Sequence, residues 1–298
     1  MSGPTASGKT ALSVAIATHF KTCILSADSR QFYKEVSIGT AKPSKEEMGE
    51  IKHFFVDSHS LEDEITAGNF ELLGLKVLEA EFQLNDVIVL TGGSGMFIDA
   101  LCNGLDKIPK DASIREELQK ELNANGLDPL LAELEENDRE YYQEVDRQNP
   151  MRILRALEVT RSTGKTFSSY RKSKPDPRPF KVHRFAINHD REFLYNRINL
   201  RVDLMMEAGL LDEVKSVLEY RHLTSMNTVG YRELFSHLDG DTKLEEAKDA
   251  IKQNSRRYAK RQITWIKRHP ETEWINWTDI PNMTSEVVTK FTKLRNLE

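Results

Sequence analysis

The chain has 298 residues, 39% hydrophobic and 30% charged, with a formal net charge of −5. That balance suits a soluble globular enzyme, either one large domain or a main domain carrying a smaller one. No stretch approaches the ~18 apolar residues of a membrane span, and two cysteines, Cys23 and Cys102, argue against a disulfide framework or a cysteine zinc site.

In chain order, the first signal is Gly3-Pro4-Thr5-Ala6-Ser7-Gly8-Lys9-Thr10, which fits G-x-x-x-x-G-K-[ST]. Such a loop wraps phosphate oxygens with backbone N–H groups, adds the positive end of the following helix, and offers a lysine ammonium. Thr10 can present its hydroxyl to a phosphate-bound Mg²⁺. Only Met1 and Ser2 precede the loop, so the expectation is an N-terminally truncated chain, or a sheet that lacks a usual central strand. A start without a basic segment and apolar core does not read as a signal peptide, which predicts a cytoplasmic protein. The N-x-[ST] matches at Asn276 and Asn282 then read as chance.

Residues 11–20 predict the helix that the loop opens. Strands are predicted at 23–28, 53–58 and 86–93, with an amphipathic helix over 69–83. This alternation predicts a parallel sheet flanked by helices, with ligands beyond the strands' carboxyl ends. Asp28 and the run Thr91–Gly95 fall at such ends, on the side of the phosphate loop. From 107 to 182 the pattern becomes charged, helical and strand-free, including a helix over 151–164 stopped by Gly164. It predicts a helical subdomain inserted between residues 1–106 and 183–298 of a P-loop-type α/β core, ending in a Pro-rich stretch (173–181). A strand at 183–188, helices over 191–208 and 243–268, and an edge strand at 273–277 complete the core.

Charge divides the chain. Residues 1–150 carry 14 Lys/Arg against 27 Asp/Glu, and residues 151–298 carry 28 against 20. The stretch 251–270 holds seven Lys/Arg and no acid, which reads either as a solvated helix face or as a polyanion-binding surface. Asp28, in Ser26-Ala27-Asp28-Ser29-Arg30-Gln31, can hold Mg²⁺ through water, take a proton from an acceptor, or cap a turn. The run at 86–93 ends in Thr-Gly-Gly, so it offers no acidic residue of the Walker-B kind. Trp265, Trp274 and Trp277 read as core or edge packing, and the eight histidines show no metal-ligand spacing.

Five separated segments, GPTASGKT, ADSRQFYKEVSIGTAKP (27–43), LTGGSGMFIDAL (90–101), VGYREL (229–234) and AKRQITWIKR (259–268), together resemble the tRNA dimethylallyltransferase family. The resemblance implies prenylation of N6 of the adenine 3′ of the anticodon. It implies that the phosphate loop, residues Gly3, Pro4, Thr5, Ala6, Ser7, Gly8, Lys9 and Thr10, binds the diphosphate of dimethylallyl diphosphate, with Mg²⁺ on Thr10. Arg201 joins the diphosphate by the same reasoning, and Asp28 is the general base. Ser94 stands where the family has Thr in G-G-T-G-L-Y, keeping a hydroxyl, while Phe97 loses one. The implied tRNA contacts are Asp28, Ser29, Arg30 and Gln31; Arg115; Met151, Arg152, Ile153, Leu154 and Arg155; and Asn227, Thr228, Val229, Gly230, Tyr231 and Arg232. For Arg152 and Arg155 the alternative is pairing with acidic residues of the subdomain. The implied partners are tRNA through its anticodon stem-loop and dimethylallyl diphosphate, with a monomeric enzyme and no membrane. Three other readings stand beside this one. They are a P-loop small-molecule kinase, an isopentenyltransferase acting on free adenine nucleotides, and a non-catalytic tRNA-binding module.

Overall fold

A computed structural model describes residues 1–171 and 177–296; residues 172–176 of the Pro-rich stretch lie outside the described residues. The chain divides into two compact units, Met1–Cys102 with Phe180–Glu298, and Asn103–Pro179.

Among the described residues the first unit is built on five short parallel strands. β1 (Ile24–Ser26) lies between β2 (His53–Phe54) and β3 (Val89–Thr91), and β4 (Phe185–Asn188) pairs with β5 (Glu273–Asn276). Each falls inside a segment that reads as a strand from its apolar residues. β1 is buried along its whole length, which is why it lacks the alternation of a half-exposed strand. The two sheets meet through Met1 and Ser2. Ser2 bridges in parallel to Gly92 on one side and Ala186 on the other. Its N–H donates to Phe185 O at 2.8 Å, its carbonyl accepts from Ile187 N–H at 3.2 Å, and Gly92 N–H donates to Met1 O at 3.4 Å. Met1 and Ser2 therefore pair between β3 and β4 through isolated bridges, not as a regular strand, where the expectation was a truncated chain or a sheet without the usual central strand. Two residues carry no periodicity, and it is their backbone groups that pair.

Helices cover the sheets. α1 (Lys9–Phe20) follows the phosphate loop, and Ser13, buried on it, donates to Thr91 Oγ1 of β3 at 2.8 Å. α2 (Lys45–Met48), α3 (Ala67–Glu81) and α4 (Gly95–Asn103) complete the first half of the unit. An apolar cluster containing Leu25, Phe32, Phe70 and Leu101 lies beneath them. Phe97 joins it, 5.7 Å from Phe32 and 5.3 Å from Phe70 between ring centroids. The position that lacks a hydroxyl is thus surrounded by rings, and Phe suits it.

The second unit is α-helical: α5 (Ala112–Asn125), α6 (Asp128–Asn137), α7 (Arg139–Glu144), α8 (Pro150–Thr163) and α9 (Phe167–Tyr170). Its core gathers Leu118, Leu130, Leu134, Ile153, Leu154 and Leu157. α8 begins under the side chain of Asn149, which accepts from Arg152 N–H at 3.4 Å, and ends at Gly164 with φ 69°. The first unit then continues through α10 (Arg191–Glu207), α11 (Leu210–Ser216), α12 (Tyr231–Leu238), α13 (Leu244–Ile266) and α14 (Ile280–Asn296). α4, α11, α12 and α14 go beyond the helices predicted from periodicity.

Candidate active site

The site begins where Ser2 leaves the sheet and the chain turns through Gly3–Thr10 into α1. Gly8 has φ 88°, and a Cβ there would lie 2.7 Å from the Trp277 ring, so only glycine closes the loop without strain. Three of the loop's carbonyls are held by side chains. Lys9 Nζ donates to Pro4 O at 2.8 Å, Arg197 Nε donates to Ala6 O at 2.8 Å, and His189 Nε2 lies 2.9 Å from Ser7 O. The first-turn N–H groups of α1 have no partners within the helix and follow directly on the loop. A stacked wall backs the loop. Trp277 lies 5.0 Å from the His189 ring, and the Arg197 guanidinium sits 5.0 Å over Trp277. Trp277 thus packs as predicted, against the loop.

Cations collect at this point. Burial lowers the Lys9 ammonium to about 8; the nearby Asp28 carboxylate opposes that shift and Arg201 adds to it. Arg201, on α10, donates to Thr5 Oγ1 at 3.2 Å, and burial lowers its own pKa. Two half-buried cations side by side at a phosphate loop favour a polyanionic ligand. Arg197 stands one turn before Arg201, and this i, i+4 pair in RINLR is a signal that the sequence reading passed over.

The second half of the site is the end of β1. Asp28 Oδ1 accepts from Arg30 N–H at 3.1 Å. Ser94 Oγ accepts from Ser29 N–H at 3.0 Å and lies 3.0 Å from Ser29 Oγ. Tyr258 of α13 reaches the same place, with its hydroxyl 3.4 Å from Gly93 O. Burial first, then the Asp28 charge, push its phenol up to about 12, so it remains a neutral donor. Arg30 Nε donates to Thr228 Oγ1 and Gln31 Nε2 donates to Ala41 O at 3.1 Å. Arg30 thereby links the Asp28 segment to the 227–232 segment.

Several of the expected tRNA contacts have other work. Tyr231 is 1% exposed, and its hydroxyl donates to Glu213 Oε1 at 2.6 Å. Glu213 also accepts from the N–H groups of Ser37, Ile38 and Gly39 at 2.7, 2.8 and 2.9 Å. Tyr231 therefore holds the 37–39 loop in place from below, and this is a structural role. Gly230 N–H donates to Glu233 Oε2, while Asn227 and Arg232 are exposed and Thr228 and Val229 half-buried. In the helical unit Ile153 and Leu154 are fully buried core residues, so their side chains cannot meet a ligand. Arg155 donates to Glu158 Oε1 at 2.6 Å and to Ile108 O at 3.1 Å, and Arg115 lies 3.8 Å from Glu158. This is the acidic pairing that stood as the alternative for Arg155. Met151 and Arg152 are exposed.

Among the described residues no three His, Cys, Asp or Glu side chains gather as a ready metal cage. The hard oxygens that the loop and β1 end offer, the Thr10 hydroxyl and the Asp28 carboxylate, suit Mg²⁺ shared with a ligand's phosphates, which needs few protein ligands. Among the described residues no helix is long and apolar enough to cross a membrane.

A phosphate loop on a parallel sheet, a half-buried Lys–Arg pair at it and a carboxylate at the next strand end define a P-loop-type α/β protein. The model of the IPP transferase family matches residues 31–269, and the chain belongs to that family. The tRNA dimethylallyltransferase 1 of Bacteroides thetaiotaomicron is 46% identical over 296 residues, covering 99% of this chain and 94% of its own. Among solved structures, the full-length tRNA isopentenylpyrophosphate transferase of Bacillus halodurans matches with a TM-score of 0.72 at 32% identity, covering 99% of this chain and 96% of that one. A eukaryotic dimethylallyltransferase acting on tRNA matches in fold with a TM-score of 0.82 at 23% identity, over 99% of this chain and 77% of that one.

Proposed function

We propose that the protein transfers a dimethylallyl group from dimethylallyl diphosphate to N6 of the adenine 3′ of the anticodon in tRNA. The observation that carries this reading is the Asp28 carboxylate beside the half-buried Lys9–Arg201 pair. One half of that arrangement suits a departing diphosphate and the other suits an amine that must lose a proton. Family membership and relatives named for tRNA prenyl transfer support the reaction. They also disfavour a phosphoryl-transferring kinase.

In this mechanism the α1 N-terminus, Lys9 and Arg201 hold the diphosphate and take up the negative charge that grows as the C1–O bond breaks. The bonding pair of C1–O leaves with the diphosphate oxygen, while the N6 lone pair forms the new C–N bond. Asp28 accepts the N6 proton as that bond forms. Ser94 and Tyr258, beside Asp28, hold the strand end in place. Thr10, with the diphosphate oxygens, would hold Mg²⁺, which supplies further neutralisation of the leaving group when bound. Arg30, Arg152 and Arg232 supply phosphate or base-edge contacts, and an unpaired anticodon loop lets the base leave its stack. By the same family resemblance the enzyme is a monomer, and the absence of a signal-peptide-like start supports a cytoplasmic location.

The test is incubation of the protein with Mg²⁺, dimethylallyl diphosphate and unmodified tRNA, followed by digestion and mass analysis of the nucleosides. Dimethylallyladenosine is the expected product, and a protein that instead turns over ATP would sink the reading. Asp28→Asn should lower transfer by a factor of about 10² to 10⁴ while binding inorganic diphosphate as the parent does.

A further inference from the structure

Gln262 belongs neither to the phosphate loop nor to the Asp28 segment, yet it touches both sides of the site. It lies on α13 and is 6% exposed. Its Oε1 accepts from Thr5 N–H at 2.8 Å, and its Nε2 donates to Gly93 O at 2.9 Å. Both polar ends of the amide are therefore spent, one on the phosphate loop and one on the turn that precedes Ser94. The fit leaves no slack: a Cβ on Gly93 would lie 2.3 Å from Nε2. The Thr5 N–H, pointing at Gln262, is not directed at a phosphate. Its neighbour Thr5 Oγ1 accepts from Arg201.

We propose that Gln262 is a positioning residue that sets the distance between the diphosphate cradle and the acceptor side of the site. One arm fixes Thr5, and with it the hydroxyl that orients Arg201. The other fixes Gly93, and with it Ser94 and the Ser29 backbone beside Asp28. An amide suits this post because it carries one acceptor and one donor on a single rigid plane. Transfer at an allylic carbon needs the amine and the leaving group held in line, so a small slip between the halves costs rate out of proportion to binding. This inference rests on the function proposed above.

One arm can be cut without the other. Gln262→Glu keeps an acceptor for Thr5 N–H and sets a carboxylate oxygen against Gly93 O, while Gln262→Leu removes both arms. For Gln262→Glu the expected result is affinity for inorganic diphosphate within about twofold of the parent, with kcat for prenyl transfer lowered about tenfold or more. For Gln262→Leu diphosphate affinity should also fall about tenfold, with tRNA affinity unchanged in both. A purely structural role would lower the thermal midpoint of both variants without separating affinity from kcat. Parent-like kcat in a folded Gln262→Glu, or equal loss of diphosphate affinity in the two, overturns the proposal. If the parent itself forms no prenylated adenosine, the proposed function fails, and diphosphate affinity still tests the Thr5 arm.

Discussion

At the scale of single residues, Lys9 sets a pH limit. Its ammonium titrates near 8 because burial outweighs the favourable field of Asp28. Only the charged form attracts a diphosphate, so donor affinity is complete below about pH 8 and declines as pH rises through that value. The KM for dimethylallyl diphosphate should therefore increase above pH 8, and in Lys9→Arg that rise should vanish because the guanidinium stays charged. Gly8 is the second sensitive point. Gly8→Ala combines a positive φ with a collision against Trp277, and should weaken inorganic diphosphate binding about tenfold or more in calorimetry. The phosphate motif and Asp28 were legible because each lies in a short stretch whose residue types state their chemistry. Gln262, Tyr258 and Glu213 were not. Their meaning comes from partners 257, 165 and 176 positions away, which one sequence does not display.

At the scale of elements, α8 separates arginines that look alike in sequence. Arg152 is exposed, whereas Arg155 is the partner of Glu158, a carboxylate only 5% exposed. Arg152→Ala should weaken tRNA binding and reduce the slope of log K against log salt by about one, with no change in melting temperature. Arg155→Ala should lower stability by about 1–2 kcal/mol in denaturant unfolding, since Arg115 and the Asp111 N–H still offset part of the Glu158 charge. Spacing alone put both on one helix face. Which of them turns toward an acid depends on the packing of α5 against α8, and that is tertiary information. The strands and most of the long helices, though not α14, were legible for the opposite reason, because burial of one face is written into local periodicity. Short helices such as α11 and α12 are too brief to repeat a pattern and took their form from what they cover.

At the scale of the whole first unit, continuity of the sheet depends on Ser2. Its N–H and carbonyl pair with Phe185 and Ile187 of β4, Met1 pairs with Leu90 and Gly92 on the β3 side, and the residue after Ser2 already belongs to the phosphate loop. Ser2→Pro removes the donor to Phe185 O, so it should lower the melting temperature and raise the KM for dimethylallyl diphosphate together. A loss of stability with an unchanged KM would show that the loop does not depend on that pairing. Parallel order and the position of the ligand end followed from the alternation of strands and helices. The identity of the central element did not, because two residues leave no pattern to read.

The wall behind the loop has an optical consequence. Trp277 touches Gly8 and stacks on His189 and Arg197, so its indole feels both the charge and the conformation of the cradle. Addition of inorganic diphosphate should change the intrinsic emission of the protein, and Trp277→Phe should remove that change while Trp265 and Trp274 remain. Occupancy of the donor site can then be followed by fluorescence on the unlabelled enzyme, before any bond is made or broken.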